Sequence, residues 1–593
     1  MSSSIGSTQK FTSQEARDME RHYAQRRKEI QEHAQQEQQE QPKVSTPNDR
    51  LVSPDFLKII PRNTKAKLAF SELIESRNSD KLDKHHTQFL VSTGRGPLKK
   101  RQALQHVSSD EAEDGDWSDQ SENEEVNFGY FRVNFDCHPL TSTAKWVIGR
   151  GSQKKTKKME IVSRNVDILL VAPDSKYSRY LLPSHAFLNM HPESGVWMIF
   201  AAIGSTVDQA SKADLSSSSP KATIFIDGEK VLEQDFRCLT KPQTPLDIQD
   251  MQFTVQFDLE TFADAVKFRE LRDKILQEQE IDPPKSQLSG IPLESDIRVK
   301  ELAIFSLGLG SGTFGSVYEG FSPISGDLRA VKVWDIKNKE IGESIREELT
   351  MSVNFSDATG LVRQYGWYNS NGDTLLDVPT YPIKIYLVLE KGLAFHQHNW
   401  SVYGPDKDPV KVRLCHQLLT GLATMHAKGY MHRDITRQNI LFFEAKPQRS
   451  QPERAALCDF GKVYQGASST YTRLAAWANL PPEIVPGKAN PYGHKIDVWM
   501  LALALVLCWY PEKVADVERW KPHGQITSKG LRLIQQRLEE ESNHLSRLLS
   551  KMLREQVDFR PSASQALASP CFQALTAKPA GDEKPGDAKR ART

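Results

Sequence analysis

The chain carries the run His432-Arg433-Asp434-Ile435-Thr436-Arg437-Gln438-Asn439 and, further on, the run Asp459-Phe460-Gly461. Carboxylates at Asp434 and Asp459 would meet two needs of phosphoryl transfer. One must orient an acceptor hydroxyl, while the other, with Asn439, must hold Mg²⁺ against the phosphates of ATP. A bare His-Arg-Asp triplet is common by chance and often forms a surface turn, so the hypothesis of a phosphoryl-transfer centre depends on what lies upstream.

A glycine-rich loop and a lysine-bearing strand lie upstream in the order that this chemistry needs. The loop is Leu309-Gly310-Ser311-Gly312-Thr313-Phe314-Gly315-Ser316-Val317, and its glycines let the backbone approach phosphate closely. Similar glycines open a helix in dinucleotide-binding domains, but here the strand Arg329-Ala330-Val331-Lys332-Val333 follows. The dinucleotide-binding interpretation therefore fails in this context.

With these runs in this order, residues 300–575 resemble the eukaryotic protein kinase superfamily, serine/threonine type. The resemblance implies an α+β, bilobal protein-kinase fold that transfers the γ-phosphate of ATP to protein hydroxyls. It implies that Lys332 holds the phosphates and that Asn439 and Asp459 bind Mg²⁺. It also implies that Asp434 orients the acceptor hydroxyl and takes its proton.

The resemblance further implies a glutamate that pairs with Lys332. The best match is Glu347, in the amphipathic helical stretch that begins at Ile345. Glu348 and Glu343 are alternatives, because they lie one residue or one helical turn away.

The nucleotide pocket is also assigned by resemblance. The stretch Ile385 to Gly392 matches the strand that enters the hinge, whose backbone would hold adenine, with Leu389 as gatekeeper. The predicted ATP-binding residues are Leu309, Gly310, Gly312, Gly315, Val317, Ala330, Lys332 and Glu390.

Three more residues match structural positions of the family. Glu483 ends the activation segment, Arg560 is its expected ion-pair partner, and Asp497 is expected to hold the catalytic-loop backbone by hydrogen bonds. The apolar run that contains Asp497, Ile496 to Tyr510, is shorter than the roughly 20 residues that a membrane span needs. It is therefore predicted to be a core helix.

Two positions depart from the serine/threonine-kinase pattern beside Asp434. Thr436 stands where those kinases carry a lysine that stabilises the moving phosphoryl charge, and Ala476 stands where they carry a threonine bonded to that lysine. Loss of one such charge commonly costs about 10²–10³ in rate, so the enzyme would be slow rather than dead. Arg437 is either a replacement for the missing cation or an exposed arginine.

Composition limits the classes of partner. The 593 residues carry a net charge of +1, which argues against direct nucleic-acid binding or membrane attachment. The six cysteines lie far apart, without zinc spacing, and the N-terminus offers no targeting signal, so a reducing intracellular compartment is predicted.

The rest of the chain divides by composition. Residues 1–127 are rich in Gln, Glu, Ser and Lys and are predicted to be a mostly disordered tail. Residues 128–258 contain short β-rich runs that predict an antiparallel β-sandwich. Residues 259–299 are predicted to be a linker with an amphipathic helix, and residues 576–593 a disordered basic tail.

Residues 128–258 resemble, in the order of their landmarks, a forkhead-associated domain, which binds phosphothreonine peptides. The landmarks are Ile148-Gly149-Arg150, Ser184-His185-Ala186, Gly204-Ser205-Thr206 and Phe225-Ile226-Asp227-Gly228.

Arg150 matches the arginine that supports the phosphate, but Leu182 and Val207 replace an expected serine and asparagine. Either phosphopeptide binding is lost, or neighbouring polar residues perform it: Ser178, Arg179 and Lys221.

Three hypotheses follow for the chain as a whole. The first is an active protein serine/threonine kinase that uses ATP and Mg²⁺, the second a pseudokinase adaptor without efficient transfer, and the third a kinase of small molecules. Retention of Lys332, Asp434, Asn439 and Asp459 favours the first, because a scaffold has no chemical need of all four.

The basic runs Lys99-Lys100-Arg101 and Lys589-Arg590-Ala591-Arg592 resemble nuclear import signals. A forkhead-associated-like module ahead of a kinase resembles checkpoint-kinase architecture, so a nuclear location is favoured over a cytoplasmic one.

Overall fold

The structure is a computed structural model. It describes residues 55–98, 125–140, 145–155, 161–202, 223–258, 262–286, 289–294, 296–312, 315–355, 357–372, 382–403, 409–446, 450–470, 479–485, 488–514, 526–541 and 543–576. The predictions made for Val207, Lys221, Ala476, both basic runs and the C-terminal tail fall outside these residues.

Two mainly antiparallel sheets form the N-terminal part, which confirms the predicted β-sandwich. The first sheet has the order β11-β10-β13-β14-β1-β3-β2. Its strands are β1 (Leu57–Pro61), β2 (Leu90–Pro97), β3 (Glu125–Val133), β10 (Ile224–Ile226), β11 (Glu229–Val231), β13 (Gln243–Ile248) and β14 (Met251–Phe257). The second sheet has the order β12-β9-β8-β4-β7, and its one parallel pair is β4 with β7. Its strands are β4 (Lys145–Gly149), β7 (Ile168–Leu169), β8 (Ala186–Met190), β9 (Trp197–Ala201) and β12 (Phe236–Cys238), while β5 (Ser152–Lys155) and β6 (Ile161–Arg164) form a separate hairpin.

The sandwich begins near residue 55, so the prediction that residues 1–127 are mostly disordered is wrong for residues 55–98. Strand β1 is an interior strand of the first sheet, where it pairs with both β14 and β3. Helices α1 (Thr64–Asn78) and α2 (Lys84–Thr87) follow, and the Asn63 side chain caps α1 by accepting the Ala66 N–H at 3.0 Å. Helix α1 buries Phe70 and Leu73, and this apolar face supplies the free energy that orders the segment.

Helix α3 (Phe262–Glu278) confirms the helix predicted between the two domains. It belongs to the sandwich, because Phe268 packs with ring centroids 5.0 Å from Phe56 and 5.5 Å from Phe135. The polypeptide that leaves α3 therefore starts from a fixed point on the sandwich core.

The small lobe is a six-stranded antiparallel sheet with one long helix. The strand order is β15-β16-β17-β18-β20-β19. The elements are β15 (Ile297–Val299), β16 (Leu302–Gly312), β17 (Gly315–Phe321), β18 (Leu328–Ile336), α4 (Lys339–Asn354), β19 (Gln364–Asn369) and β20 (Ile383–Glu390).

The large lobe is mainly helical around a core that includes Trp499 and Leu422. Its helices are α5 (Pro409–Ala427), α6 (Lys495–Trp509), α7 (Pro511–Val514), α8 (Ser528–Glu540), α9 (His544–Met552), α10 (Ala563–Leu567) and α11 (Gln573–Thr576). The large lobe also contains two small sheets. One has the order β21 (Leu393–Ala394), β23 (Ile440–Phe443), β24 (Arg454–Leu457), and the other pairs β22 (Tyr430–Met431) with β25 (Tyr464–Gln465). In the described part of the chain no helix combines the length and the hydropathy that crossing a membrane requires.

The sandwich and the small lobe share a buried apolar patch, here called the joint. It consists of Val196, Met198 and Cys238 from the sandwich packed against Ala303, Phe305 and Phe321 from the small lobe. Polar contacts surround the joint: Cys238 N–H donates to the Pro323 carbonyl at 3.3 Å, and Arg298 Nε donates to the Thr240 carbonyl. The β-sandwich is therefore packed onto the kinase fold.

Candidate active site

The glycine-rich stretch forms the hairpin of β16 and β17. Gly310 pairs with Val317 and Gly312 with Gly315 in the ladder. Gly315 has φ of +147°, and a Cβ placed there would lie 2.5 Å from the carbonyl oxygen of Val333. Only glycine fits this approach of the hairpin to β18, which carries Lys332.

Lys332 joins three elements through two ion pairs. Its Nζ lies 2.5 Å from Glu348 Oε1 on α4 and 2.8 Å from Asp459 Oδ1 after β24. The assignment of Glu347 as the partner is therefore corrected to Glu348. Glu348 shares the buried face of α4 with Ile345 and Leu349, because residues three and four apart lie on the same side of a helix.

Lys332 and Asp459 stabilise each other's charge, whereas burial outweighs Lys332 at Glu348 and raises the pKa of Glu348. Burial opposes the charge on Lys332, but the carboxylates of Glu348 and Asp459 outweigh burial and raise the pKa of Lys332. Burial would likewise raise the pKa of Asp459, but Lys332 outweighs it and lowers that pKa. Both groups are therefore charged at neutral pH, as phosphate and metal binding require.

Asp497 holds the catalytic loop in place, which confirms its predicted role. Its Oδ2 accepts the backbone N–H of His432 and its Oδ1 that of Arg433, each at 2.8 Å. His426 Nε2 lies 2.9 Å from the same carboxylate. Burial would raise the pKa of Asp497, but these hydrogen bonds outweigh burial and lower it.

Asn439 and Asp459 lie together at one end of the β23–β24 pair. The N–H of Cys458, the residue before Asp459, donates to the carbonyl of Asn439 at 2.9 Å. Asn439 Nδ2 donates to the backbone carbonyl of Asp434 at 2.9 Å, which leaves the side-chain oxygen of Asn439 for a cation. One carboxylate and one amide oxygen fit Mg²⁺, which is usually held by few protein oxygens together with substrate phosphates. Within the described residues no cluster of three or more His, Cys, Asp or Glu offers a separate metal site.

Asp434 is paired with a lysine that the sequence reasoning missed. Lys462 Nζ lies 3.1 Å from Asp434 Oδ2. Arg437, the alternative cation, instead lines a cavity of about 470 Å³ beside Trp400 and Tyr510. The only sequence signal for Lys462 was its place directly after Asp459-Phe460-Gly461.

Arg433 and Asp459 both have left-handed backbone conformations. Their φ angles are +66° and +64°. For residues with a side chain this conformation costs about 1–2 kcal/mol, so the surrounding hydrogen bonds must enforce it. At Arg433 these bonds are the one that its backbone N–H donates to Asp497 Oδ1 at 2.8 Å and the one that its Nε donates to the Lys462 carbonyl at 2.7 Å.

Two predicted sites outside the catalytic centre also take definite positions. Glu390 pairs with Arg329 in the β18–β20 ladder, next to the Ala330–Leu389 pair, and its side chain forms an ion pair with Arg454. Arg560 is fully buried and donates from Nη1 and Nη2 to the carboxylate oxygens of Glu483 at 2.6 and 3.0 Å. The second observation confirms the ion pair predicted for the end of the activation segment.

In the sandwich, Arg150 lies at the end of β4. Its Nε donates to the Leu181 carbonyl at 2.7 Å and its Nη1 to the Gly151 carbonyl at 3.3 Å. Burial lowers the pKa of Arg150, and among the described residues no carboxylate pairs with it. His185 is fully buried nearby, and its Nδ1 accepts the N–H of Leu182 at 3.2 Å.

The chain is similar to known protein kinases. The protein kinase domain family matches residues 305–572. Misshapen-like kinase 1 from Rattus norvegicus is 28% identical over 209 residues, which are 33% of this chain and 14% of that protein. Mitogen-activated protein kinase kinase kinase 3 from Arabidopsis thaliana is 26% identical over 283 residues, which are 45% of this chain and 42% of that protein. The chain thus spans less than half the length of these curated relatives. A crystal structure of Rad53 1–466 in complex with AMP-PNP is similar with a TM-score of 0.38 and 16% identity, over 72% of this chain and 91% of that chain.

Proposed function

Because residues 305–572 form a protein kinase domain, we propose that this protein is an active, ATP- and Mg²⁺-dependent kinase of protein serine and threonine hydroxyls. The observation that carries the proposal is the cluster in which Lys332 contacts both Glu348 and Asp459. An inactive scaffold has no need to keep three buried or half-buried ionisable groups in this arrangement, since burying such groups costs free energy even when they are paired.

Each residue has a distinct task in this reaction. Lys332, positioned by Glu348, holds the α- and β-phosphates of ATP. Asp434 orients the acceptor hydroxyl and takes its proton as the oxygen attacks the γ-phosphorus. Mg²⁺, held by Asn439 and Asp459, would neutralise charge on the phosphates.

The test is phosphate transfer from ATP to protein substrates and to the protein itself. We expect Asp434→Asn and Lys332→Met each to lower the rate by at least about 10²-fold, since a base and a phosphate-binding charge are lost. If the wild type and both variants are equally inert while ATP still binds, the protein is a nucleotide-binding adaptor instead.

We also propose that the sandwich, as a forkhead-associated-like domain, binds phosphothreonine peptides through Arg150. The guanidinium keeps its positive charge without a described carboxylate partner, and burial makes a phosphate a favourable partner for it. Titration of the full chain with phosphothreonine and threonine peptides, with and without Arg150→Ala, tests this proposal. Equal affinity for both peptides would contradict it.

The location that we propose is the nucleus, in a checkpoint-like signalling pathway. The support is the two basic runs near residues 99 and 589 and the order of the two domains. Replacing the lysines and arginines of both runs should move a tagged protein to the cytoplasm, and an unchanged distribution would refute the proposal.

A further inference from the structure

The catalytic loop has no positive charge at Thr436. The Thr436 hydroxyl accepts the Asn439 N–H at 3.3 Å, so it serves the loop backbone. The neighbouring Arg437 lies beside Trp400 and Tyr510. Serine/threonine kinases carry a lysine at the position that matches Thr436. Neither Thr436 nor Arg437 supplies a positive charge to Asp434 in its place.

Lys462 brings a positive charge to the same carboxylate from a different segment. Its Nζ lies 3.1 Å from Asp434 Oδ2, and both side chains are partly open to solvent. Among the described residues it is the one cation within ion-pair distance of Asp434. No described donor bonds to Asp434 Oδ1, so this oxygen can still accept the proton of an acceptor hydroxyl.

The residues on both sides of Lys462 contact the catalytic loop or the strand that leads into it. On one side the buried Phe460 ring lies 5.7 Å from the ring of His432. On the other side Tyr464 pairs with Met431 in the β22–β25 ladder. The Lys462 carbonyl itself accepts Arg433 Nε at 2.7 Å. Three contacts with the residues around Asp434 thus position the segment that carries the Lys462 ammonium group. A charge that is positioned before the reaction in this way is effective in catalysis.

We propose that Lys462 supplies the positive charge that stabilises the transferring phosphoryl group, in place of a lysine at position 436. This inference rests on the proposed kinase activity. In the step, the hydroxyl oxygen forms a bond to the γ-phosphorus and gives its proton to Asp434, while the bond from the γ-phosphorus to the β,γ-bridging oxygen breaks and ADP leaves with the electron pair. Lys462 keeps its proton and interacts with the non-bridging oxygens as their charge shifts.

Replacement of Lys462 tests the role of its charge in turnover. Lys462→Met should lower kcat by about 10²–10³-fold with little change in the KM for ATP, because a charge used in the transition state is lost. Lys462→Arg should keep most of the activity. Adding Thr436→Lys to Lys462→Met should restore part of it. The matched control is Lys551→Met, which removes an exposed lysine far along the chain and should behave as the wild type.

Three results would overturn the inference. One is equal activity of Lys462→Met and Lys551→Met. The second is a rise in activity of Lys462→Met, which would mean that the ion pair blocks Asp434. The third is a loss of activity that neither Lys462→Arg nor the added Thr436→Lys reverses, because then charge is not what the substitution removed.

A binding measurement separates this inference from the proposed function. ADP with Mg²⁺ and aluminium fluoride places a planar anionic group where the phosphoryl group would pass, and it needs no acceptor protein. Lys462→Met should weaken this complex by at least about tenfold while binding ADP alone as the wild type does. Equal binding of the complex would overturn the role of Lys462 even in an active enzyme. Selective weakening would support it even if the wild type transferred no phosphate to any protein tested.

Discussion

Lys332 Nζ and Glu348 Oε1 lie 2.5 Å apart, and this ion pair ties strand β18 to helix α4. Because Lys332 also contacts Asp459, loss of the glutamate charge would let the lysine move toward Asp459 alone. We predict that Glu348→Gln lowers the rate of phosphate transfer by about 10²-fold, as expected for loss of a positioning charge. Glu347→Gln is the matched control and should keep near wild-type rates. A larger loss in the control than in Glu348→Gln would contradict the assignment.

The stability of the large lobe should depend on the carboxylate of Asp497. Asp497→Ala leaves the N–H groups of His432 and Arg433 buried without an acceptor. We predict a loss of about 3 kcal/mol of stability in the large lobe, with a corresponding fall in Tm, and loss of phosphate transfer because the catalytic loop is no longer fixed. Calorimetry and a transfer assay on the full chain measure both effects. A variant with wild-type Tm and activity would show that the loop does not need this carboxylate.

The joint should couple the stability of the sandwich to that of the kinase domain. Met198 is 3% exposed and packs against the small lobe, whereas Leu232 on the same sandwich is 64% exposed. Met198→Asp buries an unpaired carboxylate and should destabilise by about 3 kcal/mol or more, with a fall in phosphate transfer. Leu232→Asp should change neither. If Met198→Asp lowers only the melting of the sandwich, the two domains are energetically independent.

Acid should destabilise the sandwich through His185. Burial lowers the pKa of His185 from 6.5 to about 4 in the folded protein. As the pH falls from 6.5 to 4, the unfolded chain takes up a proton that the folded chain does not, so stability falls through this window by up to about 3 kcal/mol. Thermal unfolding measured from pH 7 to pH 4 should show this slope, and His185→Gln should make it shallower. An equal slope in the variant would assign the effect to other buried histidines, such as His86 and His432, whose pKa values burial also lowers.

Motif order was enough to predict the bilobal kinase fold. The chemistry predicted for the site depends on the type and spacing of a few residues, which the sequence shows directly: Lys332, Asp434, Asn439 and Asp459. The strands of the sandwich could be predicted too, because short β-rich runs such as Tyr130 to Val133 lie within observed strands.

The failures have physical causes. Glu347 and Glu348 are neighbours on α4, and which of them faces Lys332 depends on where the helix starts. That start follows the N-cap Asn338, whose side chain accepts the Ile341 N–H at 3.0 Å. The order in residues 55–98 was not predicted because long polar segments lie on both sides. The apolar Leu57 and Ile59 nevertheless have the two-residue spacing of a strand, and Phe70, Leu73 and Ile74 have helical spacing. Lys462 lies beside Asp434 because the segment that carries it pairs with Met431, more than thirty residues earlier in the chain. A local sequence pattern cannot predict such a contact.

The left-handed conformations of Arg433 and Asp459 have a consequence for variation of this protein. Glycine adopts that backbone freely, so Arg433→Gly and Asp459→Gly would each relieve backbone strain. Each change would also remove a stabilising contact, the Arg433 Nε bond to the Lys462 carbonyl or the Lys332–Asp459 ion pair, so stability would rise only where the relieved strain exceeds that loss. A selection for heat resistance that kept such a change would discard a residue of the site. A screen for thermostable variants of this protein therefore has to measure phosphate transfer in every round.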